Sequence, residues 1–478
     1  MRVAALALLA ALALAATARA APGLETGIAD DRVLLEHPEN AAVSVSKWKA
    51  AGVDVVRIHA RWTAIAPDRD SVRPPAGFVA SDPDDPHYDW VSLDRAVALV
   101  RGAGMRVMLS VTGSGPLWGS QVPSQGNPRL RPDPARFAAF ATAVAARYAA
   151  EVDRYLIWNE PNQPGWLQPQ FTCRSPGHCT PASPILYRAL VRAAYPAIAA
   201  ADPGAQILVG TLAPRGKAGT KRNVAMRPLE FLRAFGCVDR RLHPVRTGAC
   251  AGFGVIPADG FSYHPHGVLL APDEHAPNPD DAAIGDLGRV TRTLDALTRT
   301  GAFGHHLGLY LTEFGYQTDP PDPIQGVSPA TQAAWLAESA YVAWRNPRVR
   351  DLTQYEWRDE PVDDRGGASR FSKWQSGLLF ADNRPKPALR QFPFPVWLDA
   401  GRRRLWGMVR PGSGVVAVRV ERWLAGARAF HIVARLATRP DGSFLWPLRD
   451  RRGATYRAVA DIAGGRSITS APRVYLRR

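Results

Sequence analysis

The chain has 478 residues, 46% of them hydrophobic, too many for one small domain and enough for a large core with a smaller companion. Its net charge of +16 is uneven: residues 401–478 hold 17 Arg, no Lys and four acids (Glu421, Asp441, Asp450, Asp461), so this tail carries thirteen of the sixteen. No stacking motif or recognised module accompanies the basic tail, which argues against nucleic acid as its partner. It points instead to an anionic partner such as an acidic polysaccharide or cell envelope.

The N-terminus reads MRVAALALLAALALAATARAAPG. Arg2 is a short positive region, residues 3–16 are an apolar stretch too short to span a bilayer comfortably, and Ala18-Arg19-Ala20 fits a small-x-small cleavage site. Residues 1–20 therefore read as a signal peptide, with the mature chain starting near Ala21. An uncleaved anchor is the alternative, which the length of the apolar stretch disfavours. No later segment reads as transmembrane, so the protein is expected to be secreted.

Over residues 21–392 a short apolar strand, a loop and a helix recur. Strands are expected at 25–31, 53–62, 105–113, 154–160, 206–211, 259–266, 307–313 and 352–360. Leu93, Val97 and Val100 stand at helical spacing before the third strand, and Ala41–Ala51 precedes the second. Asp133-Pro134, Ser183-Pro184 and Ser328-Pro329 each put a capping side chain before a proline at a helix start. Eight such units with apolar strands predict a (β/α)8 TIM barrel. A doubly wound sheet would carry a glycine-rich phosphate loop after its first strand, and TGIADD is not one. Beyond Phe392 the helical period gives way to alternating strands broken by Gly, Pro and Asp, so residues 393–478 are expected to form a small antiparallel β-sandwich, with FPFPVW (392–397) as the linker.

Export makes the cysteines legible. Cys173 and Cys179 share one loop, and Cys237 and Cys250 another, so two local disulfides are the simplest of three pairings. A zinc site using His178 is the alternative; the absence of C-x-x-C and the separation of the pairs argue against it.

In a (β/α)8 barrel the C-terminal strand ends converge on the active site. The fourth strand runs into IWNEPN and ends on Glu160; the seventh, LYLTEFGY, ends on Glu313. Two carboxyl groups facing across a barrel mouth are what glycoside hydrolysis needs: one protonates the leaving oxygen, the other attacks the sugar carbon or activates water. A lone strand-end glutamate is more often a surface charge or an ion pair, but two in such settings are not easily so explained.

These motifs, at this separation, resemble the retaining glycoside hydrolases of clan A, family 39 and its exopolysaccharide-hydrolase relatives first and the family 5 cellulases next. The resemblance covers about residues 24–390, and SGLLFADNRPKPAL (376–389) resembles the segment that closes many such barrels. It implies that Glu160 is the acid/base and Glu313 the nucleophile. It implies that Asn159 binds the sugar 2-hydroxyl, that Arg57 sits beside the nucleophile (Arg61 being the competing candidate), and that Trp357 floors the sugar subsite. Strand alternation would point Asn159 away from Glu160, so a bulge or turn is expected there, helped by Pro161.

One departure stands out. Many relatives carry His-x-Tyr on the sixth strand, whereas this chain reads SYHPHG, with His264 and then His266 in the tyrosine's place and Tyr263 one residue out of phase. Either His266 or Tyr263 is expected to contact the nucleophile. Trp118 and Trp166 lie in loops past the third and fourth strands, where they either stack on sugar or pack the loops down. The reading is a secreted retaining glycosidase acting on a polysaccharide or oligosaccharide, with no cofactor. The rival is a non-catalytic carbohydrate-binding protein on a decayed barrel, against which the two intact glutamates argue.

Overall fold

A computed structural model describes residues 23–364, 366–411, 414–449, 453–462 and 464–475 of the chain. The signal peptide expected at residues 1–20 lies outside the described residues.

Eight parallel strands close a barrel in chain order: β1 (Glu25–Ala29), β2 (Val55–Arg61), β3 (Arg106–Thr112), β4 (Arg154–Ile157), β5 (Gln206–Leu212), β6 (Gly260–Tyr263), β7 (Gly308–Phe314) and β8 (Val349–Tyr355), the last pairing with the first. One α-helix of five residues or more follows each strand: α1 (Pro38–Ala50), α2 (Val91–Gly102), α3 (Pro134–Arg147), α4 (Ser183–Ala201), α5 (Pro228–Phe235), α6 (Leu287–Arg299), α7 (Pro329–Arg345) and α8 (Pro387–Gln391). Both faces of the strands are covered, which is why they read as continuous apolar runs. Asp133 caps α3 through Ala135 N and Arg136 N, and Ser328 caps α7 through Thr331 N. Ser183 differs from expectation: it lies inside α4, and its hydroxyl donates to Gln170 Oε1.

The barrel interior is layered. At the N-terminal end Arg106 and Arg154 bind Glu25. Val55, Met108, Leu156, Leu208 and Tyr310 form an apolar layer. Toward the C-terminal ends the lining turns polar, with Arg57, Ser110, Ser262 and Thr312 all buried. The C-terminal mouth is thus lined by polar side chains, separated by the apolar layer from the Glu25 ion pairs at the other end.

Strand β8 starts at Val349 and ends at Tyr355, so residues 356–360 lie past the strand expected to hold them. After the barrel come β9 (Val396–Asp399), β10 (Arg404–Met408), β11 (Ala417–Trp423), β12 (His431–Ala437), β13 (Ser443–Pro447), β14 (Thr455–Ile462), β15 (Arg466–Thr469) and β16 (Arg473–Val474). They form two antiparallel sheets, β9-β10-β13 and β12-β11-β14-β15 with β16 added to β14. Part of the linker stretch is thus strand β9. These sheets bury Leu405, Val418, Val420, Phe444 and Tyr456 in a core of their own. Trp406 faces the other way and packs with Tyr341 (5.6 Å) and Trp344 (5.8 Å) of α7.

Two disulfides are present. Cys173–Cys179 joins directly opposed residues of a hairpin between β4 and α4, and Cys237–Cys250 ties the end of α5 to the loop before β6. Among the described residues no helix is long and apolar enough to cross a membrane.

Candidate active site

The end of β4 shows how Asn159 and Glu160 both reach the mouth. Tyr155 and Ile157 point out to the helices while Leu156 points in. Trp158 should point in next, but its φ of +69° turns the buried indole outward onto Phe137 of α3 (5.1 Å). The ring passes over Gly113, where a Cβ would lie 2.2 Å from it, so glycine is required there. Asn159 then points inward, and Glu160, itself at φ +36°, does the same while its N–H donates to Thr211 O. The turn expected after Ile157 is therefore built from left-handed backbone at two non-glycine residues, an unfavourable conformation characteristic of functional sites. Asn162 fixes the following loop by hydrogen bonds to Ala213 N, Ala213 O and Met226 O.

Glu313 arrives by a different device. The pairing of β7 with β8 shifts register between Leu352↔Leu311 and Gln354↔Phe314. That bulge lets Thr312 and Glu313 serve the same side: Thr312 Oγ1 bonds His264 Nε2 at 3.1 Å, and Glu313 enters the cleft.

Arg57 organises the floor. Its Nε donates to Ser110 Oγ (2.8 Å), one Nη donates to Glu313 Oε1, and the other donates to Asn159 Oδ1 (2.7 Å) and His59 Nε2 (3.0 Å). His59 Nδ1 in turn bonds Asp31, so the neutral ring donates to the acid and accepts from the guanidinium. Burial pushes His59 below its ordinary pKa despite Asp31. Arg61, the competing candidate, is half-exposed and pairs with Asp31 at 3.4 Å.

Glu160 and Glu313 are brought together. An oxygen of each and a nitrogen of His264 all lie within 4.8 Å of one another. His264 Nδ1 is 3.1 Å from Glu160 Oε1 and 3.4 Å from Glu313 Oε2. Glu160 is pushed up to about 8, by burial first and then by the Glu313 charge. For Glu313 burial acts in the same direction, but the His264 imidazole and the Arg57 guanidinium outweigh it and hold the carboxyl well below its ordinary value. Burial lowers His264 to about 3, which leaves that ring neutral near pH 7 and Arg57 as the lasting cation on Glu313. One acid is thus kept protonated and its neighbour ionised, the division of labour an acid/base and a nucleophile need.

Other candidates from the sequence separate. His266 faces Glu313 Oε2 with Nε2 at 3.7 Å. Tyr263 does not reach the cleft: its hydroxyl donates to Ala282 O (2.6 Å), because strand alternation turns it outward. Trp357 is not a floor for sugar; lying two residues past β8, it is buried edge-on against Trp48 of α1 (6.3 Å). Trp118 is buried against Trp62 (5.8 Å) and packs its loop down. Trp166 is half-buried and stacks on His59 (5.8 Å), at the edge of the Arg57 network. The aromatic wall of the mouth is instead Trp374 and Tyr355, packed on the His266 ring at 4.8 and 6.1 Å. Trp374 stands directly before the barrel-closing segment, a position that could have flagged it.

Glu160, His264 and Glu313 are the one set of His, Cys, Asp and Glu atoms among the described residues close enough to bracket an ion. Here His264 is already engaged with Glu160 and Thr312, and Arg57 supplies the positive charge, so the set acts as a carboxylate pair.

A family model described as Cellulase (glycosyl hydrolase family 5) matches residues 20–228, which end before β6 and β7. Among solved structures, a family 39 glycoside hydrolase from the gut symbiont Bacteroides cellulosilyticus WH2 is similar with TM-score 0.51 and 14% identity, covering 89% of this chain and 81% of that one. A glucosidase from Croceicoccus marinus is similar with TM-score 0.49 and 13% identity, covering 89% of this chain and 92% of that one. No curated protein sequence matches. At 14% identity the first structural likeness shows a shared fold. The class of protein is a glycosidase: residues 20–228 match the glycosyl hydrolase model, and the closed parallel barrel carries a carboxylate pair in its mouth.

Proposed function

We propose that the protein is a secreted retaining glycosidase that cleaves O-glycosidic bonds of a polysaccharide or oligosaccharide, with Glu160 as acid/base and Glu313 as nucleophile. The observation that carries this is the separation of the two carboxylates, within 4.8 Å at their near atoms. Retaining pairs stand about 5–5.5 Å apart, and inverting pairs leave roughly 6.5–9.5 Å for a water. In the first step Glu313 bonds the anomeric carbon while the leaving oxygen departs with the Glu160 proton. In the second, water bonds the same carbon, gives its proton to Glu160, and the ester bond breaks with its electron pair returning to Glu313. Asn159, anchored by Arg57, is suited to hold the sugar 2-hydroxyl. Two disulfides support an oxidising, extracellular setting.

The test is a panel of aryl glycosides and polysaccharides, followed by early-time NMR of the released sugar. Retention of anomeric configuration is expected; an initially inverted anomer would overturn the mechanism, and no turnover of any member would favour a binding protein.

The basic tail supports a second contact. Arg402 and Arg403 on the turn before β10, Arg404 at the start of β10 and Arg449 just after β13 are exposed, and the Leu448 N to Arg403 O hydrogen bond joins the two segments. This corner is suited to an acidic polysaccharide or envelope polymer. Retention of the full chain on an acidic polysaccharide should fall with salt, since exposed charges are screened beyond ~8 Å at physiological ionic strength. Changing all four arginines to serine should weaken it, and unchanged retention would remove the idea.

A further inference from the structure

Outside the tail the chain is close to neutral, yet the charges on the catalytic face of the barrel are segregated. The loops after β3, β4 and β5 (113–133, 158–182 and 213–227) hold eight Arg and Lys and two acids, Asp133 and Glu160. Asp133 is spent on capping α3, and Glu160 is pushed up to about 8 by burial and by the Glu313 charge. The loops after β2 and β6 are the reverse: residues 62–90 hold six Asp and two Arg, and residues 264–286 hold five acids and neither Arg nor Lys. Arg215, Lys217, Lys221 and Arg222 of the loop after β5 are exposed, and among the described residues that loop's only ion pair is Arg227 with Asp281 (3.9 Å). The place of this loop beside Glu160 is fixed. Gln163 N donates to Glu160 O (2.8 Å) and Gln163 Nε2 donates to Arg215 O (3.1 Å), so one residue spans from the acid to the basic loop. Farther along, Phe171 N donates to Arg222 O (2.9 Å). Gln168 Oε1 accepts from Asn127 Nδ2 (2.9 Å) and Asn223 Nδ2 (3.1 Å), which ties the three loops together. Gln168 N donates to Arg129 O and Arg131 N donates to Gln168 O, so the exposed Arg129 and Arg131 join the same rim.

An acid that protonates the leaving oxygen must face it, so the sugars of the leaving group lie on the Glu160 side of the mouth. We propose that the substrate is an acidic polysaccharide whose leaving-group sugars carry carboxylate or sulfate groups held by Arg215, Lys217, Lys221 and Arg222. This rests on the glycosidase reading with Glu160 as acid/base. Guanidinium forks match the paired oxygens of a carboxylate, and lysines on flexible stems follow charges whose spacing varies from sugar to sugar. The acidic loops after β2 and β6 repel the same polymer and leave it one side of the mouth to cross. The arginine corner of the tail acts differently: it retains polymer whether or not a bond is cleaved. The rim beside Glu160 holds the chain being cleaved, so its charge must show in kcat/KM.

The test uses the full chain and three polymers: hyaluronan and alginate, each beside its carboxyl-reduced counterpart, and chondroitin sulfate beside its desulfated counterpart. The wild type should cleave an acidic member with higher kcat/KM than its discharged counterpart, the gap closing as salt rises. Which counterpart loses shows whether carboxylate or sulfate is read. Arg215→Ser, Lys217→Ser, Lys221→Ser and Arg222→Ser together should lower kcat/KM on the acidic polymer by about 10²-fold, the scale of electrostatic focusing, with a much smaller fall on the counterpart. Arg215→Lys with Arg222→Lys keeps the charges and should keep most of the preference. A wild type that cleaves the discharged counterpart as well as the acidic polymer overturns the proposal, as does a fourfold variant that loses both activities in proportion. If the fourfold variant melts early, Lys217→Ser with Lys221→Ser replaces it, with a fall of about tenfold expected. If none of the polymers is cleaved, retention in gels containing them decides, in a chain whose Arg402, Arg403, Arg404 and Arg449 are already changed to serine. The loop changes should weaken that retention, and unchanged retention overturns the proposal. Retention lost in this way, with no aryl glycoside or polymer turned over, keeps the acidic ligand and overturns the glycosidase reading alone.

Discussion

Glu160 and Glu313 lean on one imidazole: His264 Nδ1 lies 3.1 Å from the first carboxylate and 3.4 Å from the second. Two carboxylates this close cannot both ionise without mutual repulsion, so the pair must divide. Arg57 decides which way, because its guanidinium bonds Glu313 and not Glu160. The asymmetry begins in β2, where Arg57 is fixed by Ser110 of β3 before either acid is considered.

Replacing each glutamate should separate the two roles. Glu313→Gln removes the proposed nucleophile and should cost on the order of 10⁴–10⁶ in kcat with every substrate. Glu160→Gln should cost ~10²–10⁴ where the leaving group needs a proton and little where it is 2,4-dinitrophenolate. Steady-state rates on a matched pair of glycosides make the comparison. Equal losses for both leaving groups in Glu160→Gln would break the acid assignment.

In the proposed mechanism activity requires Glu313 ionised and Glu160 protonated. Since Glu160 is raised to about 8, kcat/KM should fall on the alkaline side near pH 8. Glu313 is held well below the usual carboxylate range, so the acid limb should lie below that range too. Arg57→Gln removes a lasting cation while burial continues to favour the protonated acid, so the acid limb should move up by roughly 1–3 pH units. A pH–rate profile of Arg57→Gln with an unmoved acid limb would show that Arg57 does not set the ionisation of Glu313.

The barrel and its two strand-end acids were legible because both leave periodic traces: apolar runs that recur, after the first short gap, every 45–53 residues, and a glutamate directly after two of them. The inward turn at Asn159 was legible as a contradiction, since alternation forbade two adjacent inward residues and Pro161 marked a strand end. What alternation could not give was how far each strand runs. Ending β8 at Tyr355 moves Trp357 out of the mouth and gives the aromatic wall to Tyr355 and Trp374. Trp118 sits after β3 as expected, but a loop residue's direction is set by tertiary packing, here on Trp62. Asp31 and His59 escaped notice because a two-residue relay to Arg57 has no sequence period.

Stability should fall as pH rises. Asp351 is fully buried, bonded to Thr353 Oγ1, with its other oxygen unpartnered, and burial raises it from 3.8 to about 7. A folded-state pKa above the unfolded value means that the folded chain binds this proton more tightly. The stabilisation is full below the unfolded pKa and is lost as pH climbs from about 4 to about 7. At ~1.4 kcal/mol per tenfold change in proton affinity, this is of order 4 kcal/mol. Asp351→Asn keeps an acceptor for Thr353 and removes the ionisation. Its melting temperature should match or exceed the wild type at pH 8 and depend less on pH. A wild-type and variant pair with parallel pH–melting curves would rule out Asp351 as a contributor.

The C-terminal sheets should not be separable from the barrel without loss. Trp406 and Met408 of β10 belong to the apolar cluster of the barrel, while Leu405 just before them and Val409 just after belong to the sheets' own core. Alternation along one strand therefore commits its two faces to two cores. The contact is extended by Tyr341 donating to Asp399 (2.7 Å) and by Arg410, stacked 4.3 Å over Phe392 and donating to its carbonyl. Gly52 meets the Arg410–Pro411 backbone so closely that a Cβ would lie 2.3 Å from it. Trp406→Ala should cost about 3–5 kcal/mol, the usual range for a buried tryptophan truncated to alanine. Because the cavity would open against α7, the loss should be felt by the barrel and not only by the sheets. Removing residues 393–478 outright should expose Tyr341 and Trp344 and give a chain that aggregates or melts far below the wild type. The check is thermal unfolding followed both by near-ultraviolet circular dichroism and by residual glycosidase activity. If activity in Trp406→Ala survives to the wild-type temperature while the dichroism of the sheets is lost, the two parts are thermodynamically independent and the shared-core argument fails.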